Sequence, residues 1–181
     1  MARATKSLVY AAGIGLLASA AAHIATFFGV NPQRAVPGVM LLHVLIFVVW
    51  IPAVFMLGKM CTKDDPWRSW DILARHAPLW MKVLSIVLFL YTCFNFFHTG
   101  FVLNQGGVPS TNLGPKALVD HGEIIRLLTD EEYERHEAYF VRGFSGHWMF
   151  FYACAMTVLY SLTQGAANQS NDPAEQDVHS A

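Results

Sequence analysis

Residues 79–103 read LWMKVLSIVLFLYTCFNFFHTGFVL, an apolar run in which Lys82 is the single member of the Lys, Arg, Asp and Glu group. A helix needs about 20 residues to cross a hydrocarbon core about 30 Å thick, because each residue adds about 1.5 Å. The run stops at Asn104-Gln105-Gly106-Gly107, a sequence typical of a helix end. This stretch therefore predicts a membrane-spanning helix.

Three more stretches share this character, and together they predict four crossings. The predicted spans are Leu8–Val30, Val36–Gly58, Leu79–Leu103 and Phe144–Thr163. The chain of 181 residues is 54% hydrophobic and 14% charged, whereas soluble domains are about 25% charged. Uninterrupted runs indicate helices, since membrane-barrel strands would give short alternating segments. We expect an all-α fold: an up-and-down, integral membrane four-helix bundle as one domain, 1–164, and a disordered polar tail, 165–181.

The distribution of positive charge predicts the orientation in the membrane. Basic residues precede the first span and crowd the connection between the second and third: Arg3, Lys6, Lys59, Lys63, Arg68, Arg75 and Lys82. Segment 104–143, on the other side, holds more acids than bases. Positive residues near span ends are retained in the cytoplasm. We expect a multi-pass protein of a bacterial-type inner (plasma) membrane with both termini cytoplasmic.

The first span also has features of a cleavable secretory signal, because basic residues precede it and the small residues Ala18–Ala22 lie within it. The apolar run continues to Val30, however, and so exceeds the roughly 7–15 residues of a signal core. This length favours an uncleaved helix.

The outer loop, 104–143, is predicted to contain a short helical segment. Residues up to Pro115 are turn-like, and proline favours the first position of a helix. Thr129 followed by Glu132 has the spacing of a capping box. The helix that begins there is expected to run on into the fourth span.

Each predicted span carries one histidine: His23, His43, His98 and His147. All four lie within a few residues of the outer end of their spans, at depths that differ by about 6 Å. This difference is within the uncertainty of helix ends. The four imidazoles are therefore expected at one level in the outer leaflet.

Helical spacing predicts that three of these spans turn a polar face inward. Gly15, Ser19 and His23 form a small-residue ridge of the kind that lets membrane helices approach closely. Polar stripes follow the third and fourth spans, at Ser85, Thr92, Asn95 and Thr99, and at His147, Cys154, Thr157, Ser161 and Gln164. His43 is the least secure member, because its face is otherwise apolar.

Four inward imidazoles predict a metal or haem site. Helices 8–10 Å apart leave room for a central ion, and copper, zinc and iron all accept imidazole. One b-type haem held by two histidines is the competing cofactor. The predicted cofactor or metal ligands are His23, His43, His98 and His147, with His136 as an extra ligand. The hypothesis is a histidine-lined site near the outer face that serves redox or metal chemistry.

Two alternatives remain at the level of sequence. Histidines in a membrane also form structural hydrogen bonds worth about 0.6 kcal/mol. The protein is then a non-catalytic accessory or scaffold subunit that binds other membrane subunits. A small transporter with a histidine proton relay is less favoured, because the predicted spans contain no Asp or Glu.

Several function classes are excluded. The sequence has no GxSxG, HExxH, GxGxxG, P-loop or CxxCH pattern. A net charge of −1 gives no basic surplus for nucleic acid, so the lipid bilayer is the expected partner. Cys61, Cys93 and Cys154 supply no outward-facing pair for thiol chemistry.

Overall fold

The computed structural model describes residues 2–60, 65 and 67–170, and these residues are mostly helical. The elements in chain order are α1 (Ala2–Phe27), α2 (Pro32–Ala35), α3 (Leu41–Gly58), α4 (Arg68–His76), α5 (Leu79–Phe97), a π-helical turn (His98–Leu103), β1 (Val108–Ser110), β2 (Ala117–Asp120), β3 (Glu123–Leu127) and α6 (Asp130–Ser170).

Three helical segments are long and apolar enough to cross a membrane: Ala4–Phe27, Leu41–Gly58 and Leu79–Leu103. They correspond to the first three predicted spans and turn many large apolar side chains away from the protein, as lipid-facing helices do. The second begins at Leu41 rather than Val36, because Pro37-Gly38 forms a turn in which Gly38 has a φ of +88°.

The fourth predicted span, 144–163, lies in α6 and is not among these three segments. It is the most enclosed helix, because α1, α3 and α5 all pack against it. In contrast, α5 has α6 as its main neighbour. Trp148 and Leu159 are fully buried there, as is the polar Ser161. A helix covered by other helices can carry polar residues at little cost. Three apolar helices therefore pack on α6, and the predicted four-helix bundle is not confirmed.

Small residues let the neighbouring helices approach α6 closely. A methyl group added at Gly15 of α1 would clash with the ring of Tyr152. One added at Gly146 of α6 would lie 2.7 Å from the side-chain nitrogen of Asn95. Ser19 is fully buried between these helices. The predicted inward faces of α1 and α5 are thus confirmed.

The outer segment contains a three-stranded antiparallel sheet, in the order β1-β2-β3. A helix beginning at Pro115 is therefore wrong, and the all-α class needs this correction. Strands β2 and β3 are joined by His121-Gly122, where φ is +49° and +88°. Two consecutive positive φ angles are the requirement of a two-residue hairpin loop, and β2 buries Ala117 and Leu118 completely.

The capping box at the start of α6 is confirmed. The Thr129 N–H donates to the Glu132 carboxylate at 2.9 Å, and the Glu132 N–H donates to the Thr129 hydroxyl at 3.3 Å. From Asp130 the helix runs unbroken to Ser170, so it includes residues that we assigned to the polar tail. The rest of that tail, 171–181, lies outside the described residues, as do Cys61 and Lys63.

Candidate functional site

Three of the four predicted histidines lie at one level along α6. His23 on α1 hydrogen-bonds to Ser145, and His43 on α3 hydrogen-bonds to Trp148. His147 belongs to the same turn of α6. Two of the predicted histidines, on α1 and α3, therefore hydrogen-bond to the turn of α6 that carries a third.

His23 is at the centre of a directed chain of hydrogen bonds. It is buried, its Nδ1 lies 2.8 Å from the Ser145 hydroxyl, and its Nε2 bonds to the Tyr91 hydroxyl. The Ser145 hydroxyl donates its own proton to the Arg142 carbonyl at 3.1 Å, so it accepts from His23. In the neutral ring Nε2 then has no proton, and Tyr91 donates to it. Tyr91 thus donates to His23, His23 donates to Ser145, and Ser145 donates to the backbone of α6.

His43 has the opposite tautomer. The indole N–H of Trp148 donates to its Nδ1 at 3.1 Å. Because indole is only a donor, the neutral His43 ring must carry its proton on Nε2. The ring is half-buried and meets Phe144 edge-on, with centroids 5.8 Å apart. Its environment is therefore that of a packing and hydrogen-bonding residue.

The last two predicted histidines face α5 and the outside of the protein. His147 donates from Nδ1 to the Gly143 carbonyl at 3.0 Å, which leaves a lone pair on Nε2, and its ring meets Phe96. His98 begins the π-helical turn and stacks on Phe94 at 5.6 Å. These two imidazoles are half-buried.

The four rings do not form one donor set. Within residues 2–60, 65 and 67–170, no three His, Cys, Asp or Glu side chains are placed to hold a metal ion. A ligating imidazole must offer a nitrogen lone pair, but His23 uses both nitrogens and His43 has an N–H at Nε2. A copper, zinc, iron or haem site built from all four histidines stays a prediction. It would require these two residues to give up their hydrogen bonds.

His136, the predicted extra ligand, lies in a separate outer cluster. It donates from Nδ1 to the Asn104 side chain at 2.8 Å, and Arg126 lies 3.3 Å from its Nε2. Burial chiefly, and then the charge of Arg126, lower the pKa of His136. Arg126 also binds Glu132 at 2.7 Å and helps to lower the pKa of that carboxyl to about 2. The cluster ties β3 and the end of the π-helical turn to α6.

The spacing of polar residues in the sequence did not predict three residues of the site: Tyr91, Ser145 and Arg142. Tyr91 lies one helical turn before Asn95 and thus on the polar face of α5, which was the available signal. Arg142 donates to the hydroxyl and carbonyl of Thr26 at 3.0 and 2.7 Å. Its guanidinium also covers the ring of Phe27 at 4.0 Å. Nothing in its sequence position indicates this contact with α1.

Comparison of the chain with protein-family models, curated proteins and solved structures finds no match, so its function must be inferred from the residues of this site.

Proposed function

We propose that this is a membrane protein with α6 as a fourth span, and that its site around His23 serves redox chemistry near the outer face. The observation that carries the proposal is the directed chain from Tyr91 through His23 to Ser145. The three residues come from α5, α1 and α6. Ionisable groups inside a membrane are costly and usually functional.

The chemistry follows from the direction of the donors. When Tyr91 loses one electron, its phenolic proton becomes strongly acidic and moves to Nε2 of His23. The electron passes to a one-electron oxidant, which we assign to a metal or haem centre of a partner subunit. On reduction the electron returns to Tyr91 and the proton moves back along the same bond. Ser145 holds the Nδ1 proton of His23 and so keeps Nε2 available as the base.

Photochemical oxidation tests this proposal without the natural partner. The full chain in detergent is oxidised by a flash-excited ruthenium complex, and the tyrosyl radical is followed by electron paramagnetic resonance. We expect a radical that disappears in Tyr91→Phe and persists in Tyr160→Phe, the matched change on α6. The same radical yield in Tyr91→Phe would contradict the proposal.

The predicted cofactor has its own test. An absorption spectrum and elemental analysis of the purified protein would reveal a haem or a stoichiometric copper, zinc or iron. Such a finding would restore the four-histidine site as the centre of the chemistry. Our proposal expects the Tyr91 radical whether or not a metal is retained.

The second candidate function is that of an accessory subunit. The surface of α5 that points away from the rest of the protein favours it. His98 is half-buried on this face beside Phe94, and Phe97 stacks on Phe101. All three phenylalanines are exposed. An imidazole facing lipid is costly, and a neighbouring membrane subunit would shield it. In this case His98→Leu lowers the size of the native membrane complex, while the Tyr91 radical is unchanged.

A further inference from the structure

A cavity of about 440 Å³ opens at the outer end of α1, where it meets the first turns of α6. Phe27, the last residue of the span Ala4–Phe27, forms part of its wall. Arg142 and Tyr139 of α6 line it from the other side. The cavity therefore lies at the depth of the lipid headgroups.

Arg142 is a half-buried cation with a free edge. Its Nε and one proton of Nη2 are used by Thr26, and its flat face covers the rings of Phe27 and Tyr139. Among the described residues it takes part in no ion pair. The Nη1 protons and the second Nη2 proton form the fork that suits a phosphate or carboxylate.

The rim of the cavity limits the charge of its ligand. Two carboxylates line it, Glu131 and Glu134, and each already pairs with an arginine, at 2.8 and 2.7 Å. With Arg135 and Arg142, the lining holds two positive and two negative charges. Each carboxylate keeps acceptor positions beyond those used by Arg135 or Arg34. A group with one negative charge and one ammonium can therefore bind Arg142 and also donate to these carboxylates.

We propose that this cavity binds the headgroup of a zwitterionic phospholipid of the phosphatidylethanolamine type. The phosphodiester binds the free edge of Arg142, and the ammonium donates to the carboxylates of Glu131 and Glu134. The acyl chains continue along exposed apolar side chains of α1, such as Ile24 and Leu17. The lipid takes no part in the proton chemistry proposed for His23, although Arg142 adjoins that site, since its carbonyl accepts from Ser145.

Native mass spectrometry of the full chain, released from detergent, tests the proposal. The probes are phosphatidylethanolamine, phosphatidylcholine and phosphatidylglycerol, added separately at equal concentration. We expect phosphatidylethanolamine to bind most tightly, since choline has no N–H donor and phosphatidylglycerol has no cation. Arg142→Gln should weaken its binding about tenfold, because a charge-assisted hydrogen bond is lost. Arg75→Gln, an exposed arginine on α4, is the matched control.

Two further arms keep the test decisive if Arg142→Gln is unstable. Arg142→Lys retains the positive charge but loses the paired N–H donors of the guanidinium, so it should also weaken the binding of phosphatidylethanolamine. Glu131→Gln with Glu134→Gln should abolish the preference for phosphatidylethanolamine over phosphatidylglycerol. Equal binding of all three lipids to the wild type would overturn the proposal. Displacement of the lipid by an equal concentration of inorganic phosphate would also overturn it, because the site would then be one for a free anion.

Discussion

Gly15 of α1 lies directly against the ring of Tyr152 on α6, and the side chain of Tyr152 is itself anchored to α3. Its hydroxyl donates to the Leu42 carbonyl at 2.9 Å, so the ring cannot swing away without losing a buried hydrogen bond. A side chain at position 15 must push α1 outward or displace this tyrosine. One hydrogen atom in place of a methyl group therefore sets the spacing of three helices.

Replacing Gly15 with alanine should destabilise the protein by about 1–3 kcal/mol, the usual cost of overpacking. Gly13→Ala is the matched control, since a methyl group there meets its nearest neighbour, the Met156 sulfur, at an ordinary 3.7 Å. Both variants are compared by unfolding in mixed detergent micelles. Equal stability of the two variants would show that the close approach at Gly15 does not affect the free energy of unfolding.

Individual residues show where sequence patterns were sufficient. The four-residue spacing of Gly15, Ser19 and His23 correctly predicted one face of α1, because a regular helix fixes which side chains share a side. Periodicity does not state which atom of a neighbouring helix will be met. For this reason Tyr91 and Arg142, whose roles depend on contacts with α1, were absent from the predicted site.

Among the elements, the outer sheet depends on the buried imidazole of His136. The groups around it are Asn104, which directly follows the π-helical turn, Arg126 from β3, and Glu132 and Arg135 from α6. Its neutral form is favoured by burial and by the arginines. Protonation would set a positive ring against Arg126 and weaken the contact between β3 and α6.

The stability of this contact should therefore decrease as the pH is lowered. Because the folded state lowers the pKa of His136 from 6.5, the unfolded chain takes up the proton first, and stability decreases as the pH drops below about 6.5. The lowered pKa of Glu132, about 2 against an ordinary 4.5, adds a second loss below about pH 4.5.

His136→Asn separates the two effects. The asparagine amide keeps a donor near the position of Nδ1 and does not titrate, so the loss that starts near pH 6.5 should disappear while the more acidic one remains. Thermal unfolding of both proteins across this range is the measurement. An unchanged profile in the variant would assign the pH dependence to other groups.

The sheet itself was predictable only in part. The run from Ala117 to Leu127 has strand-forming residues on both sides of His121-Gly122, a hairpin signal. The proline at 115 pointed equally to a helix start. Local preference could not decide between them, since the strands gain their stability from pairing with one another.

At the scale of the whole molecule, α6 is the helix on which the three apolar helices pack. The less apolar helix is enclosed by the others, and three helices expose their apolar surfaces outward. Length and composition predicted the helices that face lipid. They could not predict which helix takes the centre, because this depends on close contacts such as those at Gly143 and Gly146.

The predicted orientation can be tested with two cysteines introduced into a chain lacking Cys61, Cys93 and Cys154. Asn112→Cys lies in the outer segment, and Asp71→Cys lies on α4 at the other end of the helices. A membrane-impermeant maleimide added to intact cells should label position 112, and position 71 only after permeabilisation. The reverse pattern would invert the orientation.

The central claim is that His23 is the base for the proton of Tyr91. His23→Asn tests it most directly, because the amide retains a donor toward Ser145 and removes the acceptor for the phenol. After flash oxidation, the wild-type protein should form the Tyr91 radical, and a His23→Asn variant of unchanged melting temperature should lose most of it. A radical of the same yield and lifetime in that variant would contradict the claim.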